Sequence, residues 1–88
     1  MAESNTSLTN AQSLVIEKKD FDYITIEQAN GKATTVKFQV MNPSVTVGDV
    51  LVILEGSEIL FHGMLNRMED GWATASDPRG SLLPATNE

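Results

Sequence analysis

Cysteine is absent from the 88-residue sequence, which excludes disulfides, thiolate nucleophiles and cysteine-based zinc sites. Basic residues are scarce: six Lys and Arg stand against twelve Asp and Glu, a net charge of −6 with the one histidine neutral. Phosphate backbones are bound by clustered cations that release counterions, and anionic membranes attract polybasic stretches, so neither nucleic acid nor membrane is an expected partner. The longest apolar run, Val50 to Leu54, is five residues, far short of the ~20 that span a bilayer. Met1-Ala2-Glu3-Ser4-Asn5 is neither basic nor apolar, so no secretory signal is expected. Helical periodicity is missing as well, because no window sustains an i, i+3, i+4 apolar repeat.

What is present reads as β. Residues 1–12 are rich in Ser, Thr and Asn around a single Leu8, and predict a flexible N-terminal arm that buries too little to offset its ordering entropy. Residues 76–88, with two prolines and an isolated Leu82-Leu83 pair, predict an extended C-terminal arm. Between them, 13–75 forms one small domain of Val, Ile, Thr and aromatic runs cut by glycine turns. The expected fold is all-β: a small antiparallel barrel or sandwich of about five to six strands, with flexible N- and C-terminal arms. Strands are predicted at 13–18, 21–28, 32–41, 49–55, 58–64 and 72–75.

The turns carry specific signals. Asn30-Gly31, Gly56-Ser57 and the pair ending in Gly71 read as hairpin tips, Gly48-Asp49 as a strand entry, and Gly63 as a bulge glycine. For the first hairpin, a three-residue loop over 29–31 is expected, because it places Ile24, Ile26, Val36, Phe38 and Val40 on one face. Val50 to Leu54 shows no alternation, and Ile59-Leu60-Phe61 answers it. A hairpin apolar on both faces needs cover on both, and a barrel buries only one. The second face predicts a partner, most simply another copy of the chain. Val50, Val52, Leu54, Ile59, Leu60, Phe61 and Trp72 are the candidate interface residues.

Chemistry-bearing constellations are sparse. His62 has no nucleophile or orienting carboxylate at a supporting spacing, and reads as a strand-edge or interface histidine. Glu69-Asp70-Gly71 is too short to hold calcium alone. The glycines lack the strand–loop–helix setting and following Lys-Ser or Lys-Thr of a phosphate loop. No enzymatic activity, cofactor or metal is expected.

Val45 to Leu65, VTVGDVLVILEGSEILFHGML, runs Gly-Asp, apolar strand, glycine turn, and apolar strand ending Leu-Phe-x-Gly. Through Gly48, Asp49, Phe61 and Gly63 it is similar to a β-module of tail and baseplate hub proteins of bacteriophages and related contractile systems. That resemblance spans about 21 of 88 residues. It implies a barrel-closing hairpin in a small, oligomeric tail or baseplate component, a trimer or ring contacting other virion proteins, made in the host cytoplasm and carried in the virion. A capsid decoration protein, or a monomeric SH3-like or OB-like module recognising a peptide or glycan through Trp72 and Tyr23, is the alternative. The same stretch looks like the strand entry of biotinyl and lipoyl carrier domains, but its tip, Glu55-Gly56-Ser57-Glu58, lacks the lysine those domains modify.

Overall fold

A computed structural model of the chain describes residues 11–77 and 79–86. Of the expected N-terminal arm, residues 1–10 lie outside the described residues. Six strands form in chain order: β1 (Ser13–Glu17), β2 (Ile24–Ala29), β3 (Lys32–Gln39), β4 (Val50–Glu55), β5 (Glu58–Glu69) and β6 (Trp72–Ser76), with one 3-10 turn at Lys18–Asp20. The fold is all-β, as expected, in a single six-stranded sheet ordered β1-β4-β5-β6-β3-β2. The sheet is mixed: β1 pairs in parallel with β4, and the other neighbours are antiparallel.

Three hairpins set the antiparallel part. Asn30 and Gly31 have φ of 55° and 80°, and Asp70 and Gly71 have 55° and 82°. Positive φ at both central residues is the backbone that lets a two-residue loop match the strand twist, and Asn-Gly and Asp-Gly tolerate it best. These angles overturn the expected three-residue loop. Ala29 faces Lys32 and Ile24 faces Lys37, with a register shift between Thr25 and Glu27. Ile24 and Ile26 consequently point outward, 41% and 52% exposed, rather than sharing the buried face of Val36 and Phe38. The turn's backbone preference outweighed the segregation of side chains, and the irregularity at Ile26 absorbed the conflict.

The core is one cluster fed by β3, β4, β5 and β6, with Leu14 and Ile16 of β1 packed against it. Leu51 and Ile53 of β4, Phe61 and Leu65 of β5, Ala73 and Ala75 of β6, and Val36 of β3 are fully buried. On β6 the small Ala73 stands opposite Phe38 of β3. Gly63 is required by close approach rather than by φ: a Cβ there would meet the Ser76 carbonyl and come within 2.6 Å of the Phe61 ring. Phe21 seals one end, stacked on Tyr23 at 5.1 Å and edge-on to Phe38 at 5.4 Å.

The described part of the C-terminal stretch is laid along its own chain. It takes the lane that β6 leaves between β5 and β3. Leu82 N–H donates to the Leu60 carbonyl (2.7 Å), Ala33 N–H to that of Leu83 (2.7 Å) and Ala85 N–H to that of Gly31 (2.9 Å). The Ser81 hydroxyl donates to the Ala33 carbonyl. Tyr23 O–H reaches the Pro84 carbonyl at 2.6 Å, and Thr86 N–H the Thr25 hydroxyl at 2.8 Å. These bonds carry Leu83 into the core, where it is fully buried.

Candidate functional site

The β4–β5 register sorts the two-sided hairpin into faces. Leu51 opposite Gly63 and Ile53 opposite Phe61 point inward; Val50 opposite Met64, Val52 opposite His62 and Leu54 opposite Ile59 point outward. In parallel register, β1 sets Val15 beside Val52. The outer face of β1–β4–β5 is thus apolar around a single imidazole. Val15, Ile59 and Met64 are 58%, 54% and 57% exposed, with the β4 residues half-buried between them. Soluble surfaces scatter such residues singly; a contiguous apolar patch marks a surface made to be covered.

Of the expected interface residues, Val50, Val52, Leu54 and Ile59 lie on this face. Leu60 and Phe61 point into the core, because the register shift at Ile53/Leu54 turns Leu60 inward along with its neighbour. Trp72 sits elsewhere, on the outer side of β6. Val15 and Met64 join the face unforeseen. Met64 follows His62 by two and was legible by alternation; Val15 was not, since nothing local announces a parallel neighbour.

Polar groups frame the face. Arg79 Nη2 donates to His62 Nδ1 at 2.8 Å, which makes that ring nitrogen an acceptor, because a guanidinium can only donate. Asp77, buried, accepts from the backbone N–H groups of His62 and Arg79, both at 3.2 Å, and lies 3.9 Å from Arg79 Nε. Its carboxylate closes the chain turn after β6 rather than orienting the imidazole. Among the described residues, no group of three or more His, Asp or Glu is placed to hold a metal ion. Nor is any described helix long and apolar enough to cross a membrane.

Gly48-Asp49 is the corner that joins β1 to β4. Asp49 Oδ2 accepts from Thr46 N–H (3.0 Å) and Oδ1 from Gln12 N–H (3.2 Å), while Val50 N–H donates to the Gln12 carbonyl (2.9 Å). Donation from Thr46 above all, then from Gln12, holds the carboxyl below its ordinary pKa against the opposing effect of burial. The Gly-Asp pair is therefore a clamp on the parallel pairing.

The other half of the sheet has a different outer face. A groove of about 750 Å³ runs over β2, β3, β6 and the end of β5. Its residues are mutually bonded: the Thr35 hydroxyl donates to Glu27 (2.9 Å) and lies 3.0 Å from that of Ser76, which accepts from Asn66 (2.9 Å). The Lys37 ammonium stands 5.4 Å from the Trp72 ring centroid.

Comparison with known proteins finds no matching family model, and no curated protein or solved structure that matches.

Proposed function

We propose that the protein is a non-enzymatic structural component that works by assembling with copies of itself through the outer face of β1–β4–β5. In its specific form the proposal is a small tail or baseplate component of a phage particle. The hairpin carrying the face is the one whose Gly48-Asp49 and Phe61-x-Gly63 resemble the hub-type module, and here those residues clamp the parallel strand and pack the core. The observation that carries the reading is the apolar face itself. Its centre bears no carboxylate, with Glu17, Glu55 and Glu58 confined to one end. Copies of a chain charged −6 can meet there without opposing carboxylates.

Light scattering across a concentration series tests it. A mass at a fixed multiple of 9.6 kDa is expected. A double variant, Ile59→Lys with Met64→Lys, should be monomeric and still folded, with a melting temperature that no longer rises with protein concentration, since both side chains are exposed. A persistent monomer in the parent chain overturns the proposal. The groove at Trp72 favours a second reading, a peptide- or glycan-binding module. A quenchable tryptophan in a monomer that becomes protected by such a ligand would put that reading first.

A further inference from the structure

The two edges of the sheet do not meet. Among the described residues, β1 pairs only with β4, and β2 ends at Ile24 opposite Lys37, so β3 runs on past it without a described neighbour on that side. A groove of about 570 Å³ separates the two edges. One bank is four consecutive residues, 13–16, and the other is five, 38–42. Side chains of consecutive strand residues point to opposite faces, so a groove lined by all of them is lined by backbone edges.

Hydrogen-bond phase shows what those edges offer. Val50 N–H donates to the Gln12 carbonyl, so residues 12, 14 and 16 turn their backbone groups toward β4, and Ser13 and Val15 turn theirs into the groove. On the opposite bank Val40 N–H donates to the Gly71 carbonyl, which commits Phe38 and Val40 to β6 and leaves Gln39 and Met41 facing the groove. Among the described residues, no strand pairs with either bank. Beneath lie apolar side chains, including Phe21, Phe38 and Val45 from the core. The connection through Asp20 and Asp22 closes one end, and among the described residues these are the only charged ones lining the groove; Lys18 and Lys19 are outside it.

We propose that this groove is a strand-addition site for an extended segment of a partner protein, one that alternates apolar residues and carries Lys or Arg where it meets Asp20 and Asp22. Donors and acceptors that no described strand pairs, on both banks, are what a single inserted strand satisfies, and main-chain bonding with alternate side-chain pockets is how exposed edges recognise peptides. The chain's own first ten residues are poor occupants: Leu8 is the only large apolar residue after Met1, and their one side-chain charge, Glu3, has the wrong sign. A second copy would bring the same segment.

The test uses the full chain, isotopically labelled, with the blocked peptide Thr-Val-Thr-Val-Thr-Val-Lys-Lys and its twin ending Glu-Glu. The lysine peptide should bind saturably and slow hydrogen exchange at the amides of Ser13, Val15, Gln39 and Met41. The glutamate twin should bind about tenfold more weakly, the scale expected for two partly exposed charge pairs. Asp20→Lys with Asp22→Lys, both exposed positions, should reverse that preference. Failure of the lysine peptide to protect those amides, or no reversal in the charge-swapped chain, overturns the proposal. So does protection of the same amides in the free protein, whether independent of concentration (the chain's own occupant) or rising with its mass (a second copy). Because these amides lie at the sheet's edge and not on its apolar face, the result stands apart from that of the assembly test.

Discussion

The two halves of this sheet share an interior and differ in what they show the outside. Inward, β4–β5 and β6–β3 contribute the same kind of surface, Leu51, Ile53 and Phe61 against Val36, Phe38 and the alanines of β6. Outward, β1–β4–β5 shows Val15, Val52, Leu54, Ile59 and Met64, where β3–β6 shows Thr35, Lys37, Trp72, Thr74 and Ser76. The interior accounts for folding in both halves alike. Only the outer faces distinguish them: on one, Glu27, Thr35, Ser76 and Asn66 bond one another, whereas the other is exposed and apolar.

If the interior is common to both halves, matched truncations should cost alike. Phe61→Ala and Phe38→Ala should each lose about 3–5 kcal/mol in denaturant unfolding, the usual cost of a buried phenylalanine. A Phe38 loss near zero beside a full Phe61 loss would mean that the apolar half folds without its polar counterpart. Next in size is Gly63→Ala, in the apolar half. The added methyl meets the Ser76 backbone and the Phe61 ring, and overpacking of this kind costs about 1–3 kcal/mol. The same replacement at Gly31 tests a φ of 80° with open space around it. It should be destabilising through backbone strain alone, and Gly31→Asn should recover much of the loss where Gly63→Asn recovers none.

The comparison also locates what could be read from residues alone. Turn chemistry was legible: Asn30-Gly31, Gly56-Ser57 and Asp70-Gly71 each close a hairpin, because those pairs favour backbone angles that most residues avoid. The unalternating Val50 to Leu54 likewise marked a strand apolar on both sides. The face of β2 is not the one that side-chain segregation implies, because the backbone preference of the two-residue Asn30-Gly31 turn prevails. Three features escaped for a common reason. The parallel lane of β1, the burial of Leu83, and the run of β5 on to Glu69 all depend on which distant segment lies alongside, and that is a property of topology rather than of any local window. Candidate interface positions divided the same way: alternation could have separated Leu54 from Ile53, but only the register shift explains why Leu60 turns in.

Acid should act first on the apolar half. Asp49 has a lowered pKa in the folded chain, so the stability it contributes is complete above the ordinary carboxylate range and is lost as pH falls below about 4, through its folded value. Because its acceptors hold Thr46 and Gln12, and Gln12 begins the parallel pairing, loss of this clamp should raise hydrogen exchange in β1 before β3. Asp49→Asn should flatten the acid limb of the stability curve, since the amide does not titrate. Uniform exchange across β1 and β3, or an unchanged acid limb in the variant, would remove Asp49 from that role.

The smallest effect expected belongs to the polar half. Lys37 stands over the Trp72 ring at 5.4 Å on a strand whose neighbours are Thr, Ser and Asn. A cation over an indole at a partly exposed site is worth about 0.5–1 kcal/mol. Lys37→Met keeps the length and apolar stem of the side chain and deletes only the charge, so the packing on Trp72 should survive while the electrostatic part disappears. Unfolding should shift by about 0.5–1 kcal/mol toward lower stability, and high salt should narrow the gap between parent and variant by screening the parent. Oligomeric mass should not change, because Trp72 lies off the apolar face proposed for assembly. A change in mass would mean that copies also meet over β3 and β6, and the division of labour between the two outer faces would have to be redrawn.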